Sequence, residues 1–133
     1  GQLIIFAINQ ISGMISMTTQ MPQFNIITAK PSFLKNIDGF SLFNPTTANN
    51  RSWIVAIDNR GNIVGILSYL GPEWYDEKFI ALCIIETKIK NKGISKLMLS
   101  KLFSLGYEIR SGHYKPDGIS YIKHQIDKHN SSL

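Results

Sequence analysis

The chain has one cysteine, Cys83, so no disulfide can form within it. Cys83 falls inside an apolar run and reads as a small core side chain, which suits a reducing, cytoplasmic setting. The three histidines and the cysteine show no metal-ligand spacing, so no metal site is expected. No apolar run approaches the roughly 20 residues that a membrane span needs. The apolar stretch 3–8 has no preceding positive charge and reads as neither signal peptide nor anchor. Repeats, linkers and low-complexity tracts are also missing, which leaves a single domain.

Acidic residues are the scarcer charge, 9 against 14 Lys and Arg, giving a net charge of +5 and a pI near 9.4. That balance favours anionic partners: phosphorylated cofactors, acidic proteins or nucleic acid. The aromatics are not interleaved with the lysines as a base-stacking surface requires, so nucleic acid is the least expected of these. With 133 residues, 44% of them apolar, the chain can bury one proper core.

Residues 1–23 are set apart as an N-terminal extension. Met14, Met17 and Met21 each offer a start, so this stretch is either upstream sequence or an ordinary first strand or helix. The domain proper is expected over 24–133. Residues 24–29 read as a strand, and the apolar spacing of Phe33, Leu34, Ile37 and Phe40 predicts a helix after Pro31. Residues 44–50 are a polar breaker run and read as a loop. The β-branched and aromatic stretches 53–58 and 63–70, separated by Asn59, Arg60, Gly61 and Asn62, predict a hairpin.

The most informative stretch follows. Residues 79–85 form an apolar strand, and a basic, glycine-containing loop then leads into an amphipathic helix. On that helix Ile94, Leu97, Met98, Leu102 and Leu105 make one stripe, and Gly106 stands where a glycine ends a helix. A helix start leaves N–H groups without partners and adds partial positive charge, so a loop of this kind is a natural phosphate seat. Residues 107–111 predict a further strand parallel to the first, and Asp117 is a candidate cap for a last helix presenting Ile119, Ile122 and Ile126.

This order of elements resembles the GNAT superfamily of acyl-CoA-dependent N-acetyltransferases. The specific match is that family's pyrophosphate loop, R/Q-x-x-G-x-G/A, which corresponds here to Lys90, Asn91, Lys92, Gly93, Ile94 and Ser95. Lys90 replaces the usual Arg or Gln, and Ser95 the usual Gly or Ala; backbone N–H groups can still do the holding. The resemblance implies an α/β (α+β) fold with a mixed, mostly antiparallel sheet and helices on both faces. It implies acetyl-CoA as co-substrate, with Lys88, Lys90, Lys92 and Lys96 near its phosphates. The pantetheine arm would lie where the two parallel strands splay apart near Ile84 and Ile85.

The family's usual base position, eleven residues before the motif, is Phe79 here, so a glutamate is missing from it. Glu77 would share that face if the strand extended so far. For the acid, the family's final-helix tyrosine corresponds to His124, with Tyr121 and Tyr114 as competitors. A typical member adds two strands after the last helix, and this chain lacks them. Either residues 1–22 replace them, a second copy pairs with the first, or the acceptor side stays open to a large acceptor such as a protein. The expected activity is acetyl transfer to an amine. The alternative is a GNAT-shaped binding or inhibitor protein without catalysis.

Overall fold

The computed structural model describes residues 23–112 and 119–133. Strands β1 (Asn25–Ala29), β2 (Ser52–Ile57), β3 (Ile63–Leu70), β4 (Phe79–Thr87) and β5 (Glu108–Ser111) form one sheet in sequence order. The first four pair antiparallel and β4 pairs parallel with β5. Helix α1 (Pro45–Ala48) precedes β2, α2 (Ile94–Phe103) joins β4 to β5, and α3 (Ile119–Ser131) follows. Two 3-10 turns, Pro31–Leu34 and Pro72–Tyr75, fill the connections.

β2 and β3 lie in the middle and are buried over most of their length, as their near-continuous β-branched sequences require. Their turn is closed by Asp58, whose carboxylate accepts the backbone N–H of Arg60 and of Asn62, both at 2.9 Å. Alternation then divides the side chains between two faces. Ile54, Ala56, Leu67, Ile80, Leu82 and Ile109 meet Met98, Leu99 and Leu102 of α2 and Ile122 and Ile126 of α3. Trp53, Val55 and Ile66 pack on the opposite face with Leu34, Phe40 and Ala48. Each fully buried side chain of this size contributes about 1.5–3 kcal/mol. Helical elements thus cover both faces, as expected.

Four local expectations change. The apolar spacing after Pro31 yields only one 3-10 turn, Pro31–Leu34, and Phe40 reaches the core from a segment outside any helix, just after Gly39 at φ +81°. Residues 44–50 contain a helical turn, started by Pro45 and by Asn44, whose Oδ1 accepts the Thr46 N–H at 2.9 Å. On α2 the buried stripe is Ile94, Met98, Leu99 and Leu102, while Leu97 and Leu105 are exposed. Glu86 and Thr87, read as the start of a loop, belong to β4. The Asp117 cap lies outside the described residues.

The outer edge of β5 is closed by a side chain. Asn130 of α3 accepts the Ile109 N–H through Oδ1 and donates to the Ile109 carbonyl through Nδ2, both at 2.9 Å. His129 Nε2 sits 2.8 Å from the Tyr107 carbonyl while its ring stacks on Phe103. An amide side chain therefore makes the bonds a neighbouring strand would make, and a strand could pair at Ile109 only by displacing it. Among the described residues no strand follows β5, and no helix is long and apolar enough to cross a membrane.

Candidate functional site

β4 carries an irregularity at its centre. Its pairing with β3 runs Ser68 to Ile84 and then Tyr69 to Leu82, so Cys83 is an extra residue without a β3 partner. Its pairing with β5 ends one step earlier, at Leu82 and Ser111. The bulge and the parting of the strands thus coincide. Among the described residues, 84–87 pair with β3 on one side and have no registered strand on the other. The bulge also reverses the alternation: Ile85 joins Ile80 and Leu82 against the α2 cluster, while Ile84 joins the opposite one. Opposite the bulge, Ser68 is wholly buried with no partner for its Oγ, a condition that costs about 1–3 kcal/mol.

Cys83 is half-buried, and its Sγ lies 3.6 Å from the Ala81 carbonyl. Burial pushes the thiol above its ordinary range, against a smaller opposing pull from Arg51.

β4 ends where the Lys88 N–H donates to the Val64 carbonyl at 2.8 Å, and the chain then bends to α2. Asn91 has φ +60° and Gly93 φ +74°, the second being the helix N-cap with no side-chain capping bond. The Leu97 N–H is paired to the Gly93 carbonyl at 3.1 Å, so the amides of Ile94, Ser95 and Lys96 precede the helical ladder. A Cβ on Gly93 would meet nothing within 4 Å: this corner opens to solvent. Lys90, Asn91, Lys92 and Lys96 are exposed and Ser95 half-buried. Ile94 has its side chain in the core, so it can serve a ligand only through its backbone. The sequence-predicted cofactor set, Ile84 and Ile85 on the open edge and 90–96 beyond it, lies on one end of β4 and the segment leading from it.

Two residues at that end hold a distant segment. Glu86 Oε2 accepts the N–H and Oγ–H of Ser41 at 3.0 and 3.1 Å, and Oε1 accepts the Leu42 N–H at 2.8 Å. Lys88 Nζ stands 4.9 Å from the Phe40 ring centroid and close to Gly39. Sequence reading missed this clamp; a glutamate ending an apolar strand was its only signal. Beside the loop a recess of about 250 Å³ is lined by Phe24, Asp58, Arg60, Ile89 and Lys92 among others.

The proposed catalytic side chains are not brought together. β4 begins at Phe79, and Asp76 and Glu77 have φ values of 53° and 60°, so Glu77 is not on the strand and alternation does not align it with Phe79. It accepts the Tyr107 hydroxyl at 3.2 Å, and this bond raises the phenol above its ordinary range. Cys83 is four residues beyond Phe79 along the strand, about 13 Å, so Glu77 lies outside direct hydrogen-bond reach of the bulge. Tyr121 and His124 are exposed on α3, with no bond to Glu77 among the described contacts. Phe79 itself is held between the Tyr75 ring, centroid to centroid 4.3 Å, and the Arg110 guanidinium, 4.0 Å away. No group of three or more metal-ligating side chains occurs among the described residues.

No protein-family model matches the chain, and no curated protein matches it in sequence. Solved structures match it in fold. A ribosomal-protein-alanine N-acetyltransferase from Brucella melitensis biovar Abortus 2308 superposes with a TM-score of 0.55 at 15% identity, over 77% of this chain and 90% of that one. An aminoglycoside acetyltransferase from an uncultured soil metagenomic sample, in complex with sisomicin, gives 0.53 at 16% identity, over 84% and 90%. A candidate acetyltransferase from Deinococcus radiodurans R1 gives 0.54 at 14% identity, over 77% and 80%.

Proposed function

Because the chain has the fold shared by these GNAT-type acetyltransferases, we propose that it is an acetyl-CoA-dependent N-acetyltransferase acting on an amine, with protein amines among its acceptors. One arrangement carries the reading: the bulge at Cys83 and the last registered β4–β5 pair at Leu82 lie at the centre of β4, and the strand's second half leads from them to a glycine-opened basic helix start. An open corner at Gly93, an N-cap without a side-chain bond and a strand end beyond the registered β5 pairing suit a phosphorylated ligand with an extended amide-bearing arm.

In this reading the amides of Ile94, Ser95 and Lys96 and the ammonium groups of Lys88, Lys90, Lys92 and Lys96 hold the phosphates. The edge at 83–87 hydrogen-bonds the arm, flanked by Ile84 and Ile85. When bound, acetyl-CoA supplies an acetyl group activated as a thioester. A strand donor left out of the ladder at the bulge offers electrostatic support to the reacting carbonyl. Glu77, acting through a chain of waters, takes the proton of the amine, and Tyr121 or His124 returns one to the departing thiolate.

The test is release of free CoA from acetyl-CoA in the presence of small amines and of candidate proteins. Release that requires an acceptor supports transfer. Binding without release under any acceptor supports the second reading, a GNAT-shaped binding protein without turnover. Phe79 favours that second reading, since an uncharged ring gripped by Tyr75 and Arg110 stands where the resemblance implies a base.

A further inference from the structure

Glu86 has a task of its own. It lies on the part of β4 that β5 has left, yet its carboxylate is turned to a segment 44 and 45 residues away in sequence. Both oxygens accept backbone N–H groups, from Ser41 and Leu42, and one also accepts the Ser41 hydroxyl. Two positions on, Lys88 reaches the same segment at Phe40 and Gly39. Residues 39–42 lie between the 3-10 turn and α1 and belong to no helix or strand. A stretch of this kind keeps one conformation only when something outside it supplies its bonds.

We propose that Glu86 is a positioning residue: it fixes residues 39–42 as a wall beside the open edge of β4, and the pantetheine arm of the acyl donor lies along that wall. The inference rests on the acetyl-CoA reading. It follows from where the clamp sits, because Glu86 is between the bulge at Cys83 and the phosphate loop. An extended chain passing from that loop to the bulge must run past this point. Leu42, exposed and held by its own N–H, is the apolar side chain the wall offers to such an arm. Glu86 is thus engaged with the protein backbone and has no assigned part in proton transfer.

Binding of acetyl-CoA and of adenosine 3′,5′-bisphosphate, which has the nucleotide phosphates without the arm, is measured by calorimetry for the wild type, Glu86→Ala and Glu86→Gln. The expected result for Glu86→Ala is acetyl-CoA bound about tenfold more weakly with the bisphosphate unchanged. Glu86→Gln is expected between wild type and alanine, because its amide oxygen can still accept the Leu42 N–H, and it supplies the comparison should the alanine variant not fold. Equal loss for both ligands in the glutamine variant, or no loss for either, overturns the inference and leaves the acetyl-CoA reading standing. A wild type that binds neither ligand overturns that reading itself.

Discussion

Leu82 of β4 stands opposite Ser111 of β5, and this is the last registered pair between the two strands. The next residue along β4 is the bulge residue Cys83. A bulge bends and twists its strand, so the break in the β3 register falls next to the last registered pair with β5. The proposed donor site is built around that one inserted residue.

Cys83 reports on that edge. Its thiol is half-buried and its pKa is raised by burial, so at pH 8 it is mostly protonated and alkylates several-fold more slowly than free cysteine. Acetyl-CoA should slow the reaction further. Rates of iodoacetamide modification, followed by mass spectrometry, check both expectations; a rate equal to free cysteine and indifferent to acetyl-CoA contradicts them.

Gly65 sets how closely α2 approaches the sheet. A Cβ there would stand 2.8 Å from Ile94 Cγ2 and 3.1 Å from Met98 Cε. Gly65→Ala is expected to cost about 1–3 kcal/mol in urea unfolding and to weaken acetyl-CoA binding, because Ile94 opens the helix proposed to hold the phosphates. Gly112→Ala, where a Cβ meets nothing within 4 Å, should stay within about 0.5 kcal/mol of wild type.

Asn130 protects the sheet's edge. Removing its side chain leaves the N–H and carbonyl of Ile109 without their partners, so Asn130→Ala should lose about 1–3 kcal/mol and speed hydrogen exchange at the Ile109 amide. Asn130→Asp keeps the acceptor and loses the donor, and should fall between. Unchanged exchange in the alanine variant would show that the edge is satisfied in another way.

Acid stability tests the hairpin turn. The backbone N–H of Asn62, chiefly, lowers the Asp58 carboxyl below 3.8, partly opposed by burial. A carboxyl with a lowered folded-state pKa contributes stability that is complete above its unfolded value and is lost as pH falls through the folded one. Wild type should therefore exceed Asp58→Asn in urea midpoint at pH 6, with the gap narrowing as pH falls below 3.8. A gap that does not change with pH contradicts the assignment.

The parts of the fold that were legible were those governed by local chemistry. β2, β3 and their turn follow from β-branched runs around Asp58, Asn59, Arg60, Gly61 and Asn62, and α2 from its spacing and the glycine after it. Phe33, Leu34, Ile37 and Phe40 have helical spacing, but Leu34 and Phe40 fill the core beside Trp53 without a helix between them and Phe33 is exposed, so the spacing does not mark a helix face. Glu86 and Thr87 looked like a loop because polar residues end an apolar run; their strand is set by β3 and by the amides of residues 41 and 42, which are remote in sequence. The bulge left no mark, since the residues on both sides of Cys83 are equally apolar. The turn over 90–93 into α2 was legible because glycine at a left-handed position and lysines at exposed ones are local demands. Glu77 and its partner Tyr107 were not, because two left-handed residues move Glu77 off the strand.

The most direct test is titration of acetyl-CoA into the wild type and into Gly93→Glu, which sets a carboxylate and a strained backbone at the helix start, with circular dichroism confirming that both are folded. The account predicts one molecule bound per chain by the wild type and binding at least about tenfold weaker in the variant, roughly 1.4 kcal/mol. A folded wild type that binds no acetyl-CoA, or a variant that binds it equally well, would contradict it.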